Sequence, residues 1–256
     1  MSNPSVSAVL IVKNEESNIR RALESLTWAD EIIVLDTGSV DNTVHICREM
    51  GVRVDEHEWR GYVDAKNTVS DLASSDWIFS LDADEEVTPE LREEILLTVK
   101  NSSAKSGYRI PRKNHYLGRW IRYCGWYPDL QLRLWKRGKG RWVGGRVHER
   151  VDVDGPADTM KSAMNHFTYA SLAEHIERMN RYAGLYARDN FEAGKRTSAL
   201  ALFLIPPWQF FRLYFLRLGC LDGVHGLLVS ALGAYYGLLK KARLWEIQKR
   251  AKRTEK

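Results

Sequence analysis

Apolar positions in the first hundred residues switch between two periods. Short runs rich in Val and Ile, "VSAVLIV" (6–12), "EIIVLD" (31–36), "VRVDEH" (52–57) and "WIFSLD" (77–82), predict strands. Between them lie segments with helical spacing. Ile19, Leu23 and Leu26 share one face of a helix over 17–28, and Asp41 stands as N-cap before "NTVHICREM", with Gly51 at the stop. A third helix covers "VDAKNTVSDLA". Thr88, Pro89 and Glu90 supply an N-cap, a first-turn proline and a first-turn acid for "ELREEILLTVK". Four strand–helix units of this length predict an α/β fold with a mostly parallel sheet and helices on its faces. In such sheets ligands bind beyond the carboxyl ends of the strands.

From about residue 107 the pattern becomes short, aromatic and basic, with glycine breaks: "GYRIPRKN", "RWIRYCGW", "DLQLRLWKR", "GRWVGGRVHERV". This predicts a small antiparallel or mixed part of the same domain, spanning 1–195 with a closing helix over 171–192. Residues 196–256 differ in kind. "ALALFLIPPWQFFRLYFLRL" is apolar, carries only Arg212 and Arg217 as charges, and is expected to break at Pro206-Pro207. "GVHGLLVSALGAYYGLL" follows without a charged residue. In it Gly226, Ser230, Gly233 and Gly237 recur on one helical face. Each helical Gly costs about 1 kcal/mol against Ala, so the stripe implies close approach of another helix. Neither run reaches the roughly 20 continuous apolar residues of a simple transmembrane helix, and the segment reads as interfacial helices.

Charge sharpens this picture. The net charge is +5, yet from Lys240 onward eight Lys or Arg face two Glu, which leaves the rest of the chain near −1. A basic end after an apolar segment points to an anionic membrane surface. The alternative, a basic non-catalytic module on membrane or nucleic acid, conflicts with the acidic body, and no nucleic-acid partner is expected. Cys47, Cys124 and Cys220 are widely spaced, which excludes a zinc ribbon and suits a reducing compartment. The opening residues lack a basic n-region, so no signal peptide is read there.

The chemistry concentrates at strand ends. "FSLDADEEV" sets Asp82, Asp84, Glu85 and Glu86 within five positions, and a DxD at a strand end suits Mg2+ or Mn2+ with a diphosphate completing the oxygen shell. Asp36 closes the second strand before the polar loop "TGS", and its carboxylate can accept from a nucleobase imide. Glu15 ends the first strand. Lys66, on the helix before the acidic strand, can face a diphosphate as a point charge. The first strand is followed by "KNEESN", with no glycine, which excludes a dinucleotide fingerprint and disfavours a nucleotidyltransferase.

Together "VLIVKNEESNI", "IIVLDTGSVDNT", "DAKN" and "FSLDADEEV" resemble the successive motifs of glycosyltransferase family 2, inverting nucleotide-sugar enzymes of the GT-A fold. "DLQLRLWKRGKGRWVGGRVHERV" and "PPWQFFRLYFLRLGCLDGVHG" resemble the lipopolysaccharide core β-glycosyltransferases. The resemblance implies a hexose, glucose first, carried from a UDP-sugar to a lipid-linked or inner-core saccharide acceptor by a cytoplasmic enzyme attached peripherally to the inner membrane. It implies nucleoside contacts at Glu15 and Asp36, support from Asp41, diphosphate contacts at Lys66 and Asp82, and a metal chiefly on Asp84 with Asp82. Glu85 and Glu86 are left as solvated or capping residues. The acidic pair that many members use as base is missing here. Glu149 in "VHER" is the expected catalytic base, with Asp129 as second choice and an ion pair to Arg146 or Arg150 as the structural alternative for Glu149. His148 is expected near the metal or diphosphate, and His166 as a late metal ligand or a core histidine. Trp, Tyr and Arg side chains in "RKNHYLGRWIRYCGWY" suit sugar rings and phosphates of the acceptor.

Overall fold

The computed structural model of the chain describes residues 4–144 and 149–254. The four predicted strands form β1 (Val6–Val12), β2 (Glu31–Asp36), β3 (Arg53–Glu56) and β4 (Trp77–Ser80), paired in parallel in the order β3-β2-β1-β4. The helices between and after them are α1 (Ile19–Glu24), α2 (Thr43–Glu49), α3 (Tyr62–Asp71) and α4 (Pro89–Val99). Strand alternation sorts β1 onto two cores. Val6, Ala8, Leu10 and Val12 pack with Ile19 and Leu23 of α1 and Leu91 and Ile95 of α4. Val9, on the other face, packs with Ala65 and Val69 of α3. Burial on both faces is why the strand runs are almost wholly apolar. Thr88 caps α4 as expected, its hydroxyl accepting from the Leu91 N–H.

Beyond β4 lie β5 (Glu85–Glu86), β6 (Gly107–Tyr116), β7 (Arg119–Trp120), β8 (Asp129–Lys136), β9 (Gly140–Gly144), β10 (Glu149–Val153), β11 (Ala157–Thr159) and β12 (Met164–Tyr169). β8 runs antiparallel to β4 and β6, the main sheet continues as β4-β8-β6-β12-β5, and β9 and β10 form a separate antiparallel pair. The mixed α/β architecture with a small antiparallel part is the expected one.

The chain divides into two compact units, Met1–Lys113 with Pro128–His166, and Asn114–Tyr127 with Phe167–Lys256. The second carries α5 (Leu172–Glu192), α6 (Ala199–Phe211) and α7 (Gly223–Thr254), with a π turn over Arg212–Leu216 and a 3-10 turn over Gly219–Asp222. Contrary to the sequence expectation, Pro206 and Pro207 do not break α6. Their missing N–H groups remove two rungs of the ladder, and the helix continues until the π turn, closed by Arg217 N–H on the Arg212 carbonyl at 2.8 Å. The uninterrupted span Ala199–Leu216 has a mean hydropathy of 1.4 and none of it is buried, so by length and composition it is apolar enough to cross a membrane. The glycine stripe of α7 serves close packing, as the spacing predicted. A Cβ on Gly226 would sit 1.8 Å from the Gly219 carbonyl oxygen, and one on Gly233 would sit 2.6 Å from Leu213.

Candidate functional site

The carboxyl ends of β1, β2 and β4 lie on one edge of the sheet, because the three strands are parallel neighbours. Two loops there are laced together. Asn14, in the left-handed region (φ 56°), donates from its N–H to Ser39 Oγ and accepts at Oδ1 from the Val40 N–H. The Glu15 N–H donates to Thr43 Oγ1 at 2.7 Å, and the Glu16 N–H to Asp41 Oδ2 at 3.2 Å. Asp36 is buried and accepts from the N–H groups of Gly38 and Ser39, folding its own loop back over itself, with Gly38 supplying the positive φ. Glu15 Oε2 accepts from Asn18. Asp41 does not cap α2 in the usual position. Asn42 occupies the N-cap without a side-chain bond, while Asp41 Oδ1 accepts from both N–H and hydroxyl of Thr43. Burial would raise the Asp41 carboxyl, but these bonds hold it below the ordinary value.

At the end of β4 the acidic cluster meets cations of the protein itself. Lys66 on α3 donates to Asp82 Oδ1 at 3.0 Å and lies 3.7 Å from Glu149 Oε1, its ammonium 4.3 Å from the centre of the Trp142 ring. Arg133 on β8, 3% exposed, bridges Asp82 and Glu85. Glu85 also takes Arg112 at 3.0 Å, and Arg112 clasps Asp129 through Nε at 3.0 Å and Nη2 at 2.6 Å. The result is one alternating chain, Asp129–Arg112–Glu85–Arg133–Asp82–Lys66–Glu149. Its ends are the two residues expected from sequence as alternative bases. Burial pushes the Asp82 carboxyl up, yet the Arg133 and Lys66 charges outweigh it and hold it well below the usual range. Burial disfavours the Arg133 charge too, and Asp82 and Glu85 more than restore it.

Two expectations change here. Glu85 is not solvated: it is fully buried, accepts from the Asp82 N–H at 2.9 Å and pairs with two arginines. Glu86 accepts from Asn165 Nδ2 at 2.8 Å. The suggested pairing of Glu149 with Arg150 is not formed, since Arg150 turns to Asp152 at 3.1 Å. Arg146 and His148 lie outside the described residues. Sequence reading missed Arg133, and it gave other roles to Arg112, read among the acceptor-facing arginines of "RKNHYLGRWIRYCGWY", and to Glu85. The alternation in "DLQLRLW" concealed Arg133, because it shares a strand face with Asp129 and Gln131 and so reads as a polar, outward position, opposite Leu130, Leu132 and Leu134.

Asp84 and His166 form the remaining pair, Oδ2 to Nε2 at 3.4 Å, both partly exposed. β12 brings them together, because His166 is in register with Glu85. Among the described residues no three His, Cys, Asp or Glu gather as a metal cluster. Two protein donors nonetheless fit a hard cation that takes one or two carboxylates and fills its shell with phosphate oxygens and water. Both oxygens of Asp82 already face cations, so the outward donors are Asp84 and His166.

Residues 7–151 match the family described as Glycosyl transferase family 2. The lipopolysaccharide core biosynthesis glycosyltransferase LpsC of Rhizobium meliloti (strain 1021) is 31% identical over 253 residues, covering 94% of this chain and 92% of its own. A glycosyltransferase of Rickettsia bellii is 30% identical, covering 94% and 86%. Among solved structures, S. aureus TarS 1-349 in complex with UDP-GlcNAc aligns over 98% of this chain and 92% of its own at 13% identity, with a TM-score of 0.49. With the family pattern spanning more than half the sequence and relatives similar along nearly all of it, the chain belongs to glycosyltransferase family 2.

Proposed function

We propose that this glycosyltransferase moves a hexose, glucose in the first instance, from a UDP-sugar to a lipid-linked saccharide of the lipopolysaccharide inner-core type, with inversion. The observation that carries the reading is the placement of Glu149. Its carboxylate, 22% exposed, stands at the open end of the charge chain, with Lys66 at 3.7 Å as its described partner. Asp129, by contrast, is filled by two N–H groups of Arg112 and the Gln131 amide at 2.8 Å. Glu149 therefore takes the proton from the acceptor hydroxyl as that oxygen attacks the anomeric carbon. The bond to the diphosphate breaks on the opposite face, and its electron pair leaves with the nucleotide.

The nucleoside lies at the β1 and β2 loops, where Glu15 and Asp36 offer acceptors and Asp41 braces the loop. Lys66 and Asp82 orient the diphosphate end of the site, and Asp84 with His166 would hold Mg2+ or Mn2+. A divalent ion there supplies Lewis-acid neutralisation of the departing nucleoside diphosphate. Arg133, Arg112 and Glu85 keep the carboxylates in place without meeting substrate.

Attachment to an anionic inner-membrane surface on the cytoplasmic side is the second part of the proposal, with residues 196–256 as the attaching segment. Leu200, Leu204, Trp208, Phe211, Phe215 and Leu218 follow one another at helical steps and are all exposed. Exposed Arg212 and Arg217 flank this apolar row. The relative named for lipopolysaccharide core biosynthesis supports an acceptor located at such a surface.

The test is Glu149→Gln, which keeps size and removes the base. Transfer to acceptor should fall at least about a hundredfold, the low end of what general base catalysis contributes, while nucleotide binding stays near wild type. Wild-type turnover in this variant would place the base elsewhere, with Asp129 next.

A further inference from the structure

The second unit contains a cavity of about 500 Å³ that the donor chemistry does not use. That volume lies within the about 300 to 1,000 Å³ of ordinary small-molecule pockets. Its walls are Trp126, Met179, Leu213, Val229 and Tyr236, with Lys240 at its polar end. Leu213 belongs to the turn after α6, Met179 to α5, and Val229, Tyr236 and Lys240 to α7.

Two features say what it fits. First, among the described residues no Asp or Glu lines it. A sugar ring presents several hydroxyl donors and is held by carboxylate and amide acceptors, which this wall lacks apart from Gln209. His175, also in the wall, already faces the Tyr116 hydroxyl at 3.1 Å and stacks on Tyr169 at 4.1 Å between ring centres. Second, Lys240 has rings where a half-buried ammonium would ordinarily have a carboxylate. Its Nζ lies 4.4 Å from the Tyr236 ring centre and 5.1 Å from that of Tyr186. Among the described residues no carboxylate pairs with it, and the neighbouring charge is the like charge of Lys241, whose Nζ is 3.3 Å from the Tyr186 hydroxyl. Burial holds the Lys240 ammonium below its ordinary value. A cation kept in an apolar, aromatic wall without a counter-ion is complementary to an anion that arrives with its own apolar tail.

We propose that this cavity binds an anionic amphiphile by one alkyl chain, which lies against Met179, Leu213 and Val229, with its phosphate on Lys240. The proposal stands apart from the donor reading. Two sources share the chemistry: a phospholipid of the membrane surface, and the lipid portion of the acceptor, the latter resting on the acceptor reading above.

The test uses the full chain and octyl phosphate, kept below its micelle concentration and titrated by calorimetry, with octyl glucoside as the uncharged control. One-to-one binding of octyl phosphate is expected, weakened about tenfold or more in Lys240→Met and kept in Lys240→Arg, as loss of a charge-assisted contact requires. Octyl glucoside should bind more weakly and without regard to Lys240→Met. A diazirine-bearing alkyl phosphate on the wild-type chain gives a readout free of folding effects. Its cross-links should fall on peptides holding Met179, Leu213 or Val229. Equal octyl phosphate binding by wild type and Lys240→Met, no saturable binding, or cross-links only outside the cavity would each overturn the proposal. The source is then read separately. Lost binding of Lys240→Met to phosphatidic acid vesicles at unchanged acceptor KM assigns the ligand to the membrane, and a raised acceptor KM at unchanged vesicle binding assigns it to the acceptor.

Discussion

Replacing Arg133 by Met tests whether the charge chain organises the site or merely decorates it. The Arg133 side chain is 3% exposed and Glu85 is fully buried, so the variant leaves Glu85 with Arg112 alone and Asp82 with Lys66 alone. Removing one partner of a buried ion pair costs about 3–5 kcal/mol, because the other charge stays out of water. Each carboxylate here keeps one cation, which places the expected loss near the lower bound, about 3 kcal/mol. That is about a hundredfold in the folded-to-unfolded ratio at 25 °C. Urea unfolding followed by circular dichroism measures it, with Arg150→Met as a control in an exposed pair expected to lose about 0–1 kcal/mol. Arg133→Lys restores charge but cannot fork to both carboxylates, and should fall between. Losses below about 1 kcal/mol for Arg133→Met, indistinguishable from the control, would refute the reasoning.

Two further predictions concern stability. Gly226→Ala would place a methyl 1.8 Å from a backbone oxygen that cannot rotate away, so a loss of about 3 kcal/mol or more is expected, at the top of the usual overpacking range. Gly237→Ala meets the Ile205 Cγ2 methyl at 3.3 Å and Gln209 Cγ at 3.9 Å, so a shift of a few tenths of an ångström suffices, and the gain in helix propensity of about 1 kcal/mol should offset it. A Gly226→Ala melting temperature equal to wild type would contradict the packing described. The second prediction is acid sensitivity. The Asp82 carboxyl is depressed in the folded chain, so its stabilisation is fully present above the unfolded value of about 4 and is lost as pH falls through the folded one. Unfolding free energy should therefore decline with acid below about pH 4, and less steeply in Asp82→Asn. A pH dependence identical in the two proteins would show that Asp82 is not the group responsible.

How much was legible beforehand followed from what each signal depends on. The parallel strands and their helices were readable because burial on both faces leaves strong local periodicity, as in β1 and β2, and because Thr88-Pro89 marks a helix start by local rules alone. The glycine stripe of α7 was readable for the same reason. The partners of the acidic cluster were not. Arg112 and Arg133 are separated from Glu85 by 27 and 48 positions, and only antiparallel pairing of β8 with β4 and β6 brings them together. Glu85 looked solvated because its neighbours in sequence are acids, whereas its neighbours in space are arginines. Pro206-Pro207 misled in the other direction. The local rule predicts a break, but the helix runs through both prolines to the π turn.

The most direct test of the central claim is calorimetric titration of the full chain with UDP-glucose, first with Mn2+ and then with EDTA, in wild type, Asp84→Ala and Glu149→Gln. Metal-dependent binding is expected in wild type and Glu149→Gln, with a loss of at least about tenfold in Asp84→Ala, as removal of a charged ligand implies. Binding that is equal in Asp84→Ala and wild type and indifferent to EDTA, or no binding of the nucleotide sugar at all, would contradict that claim.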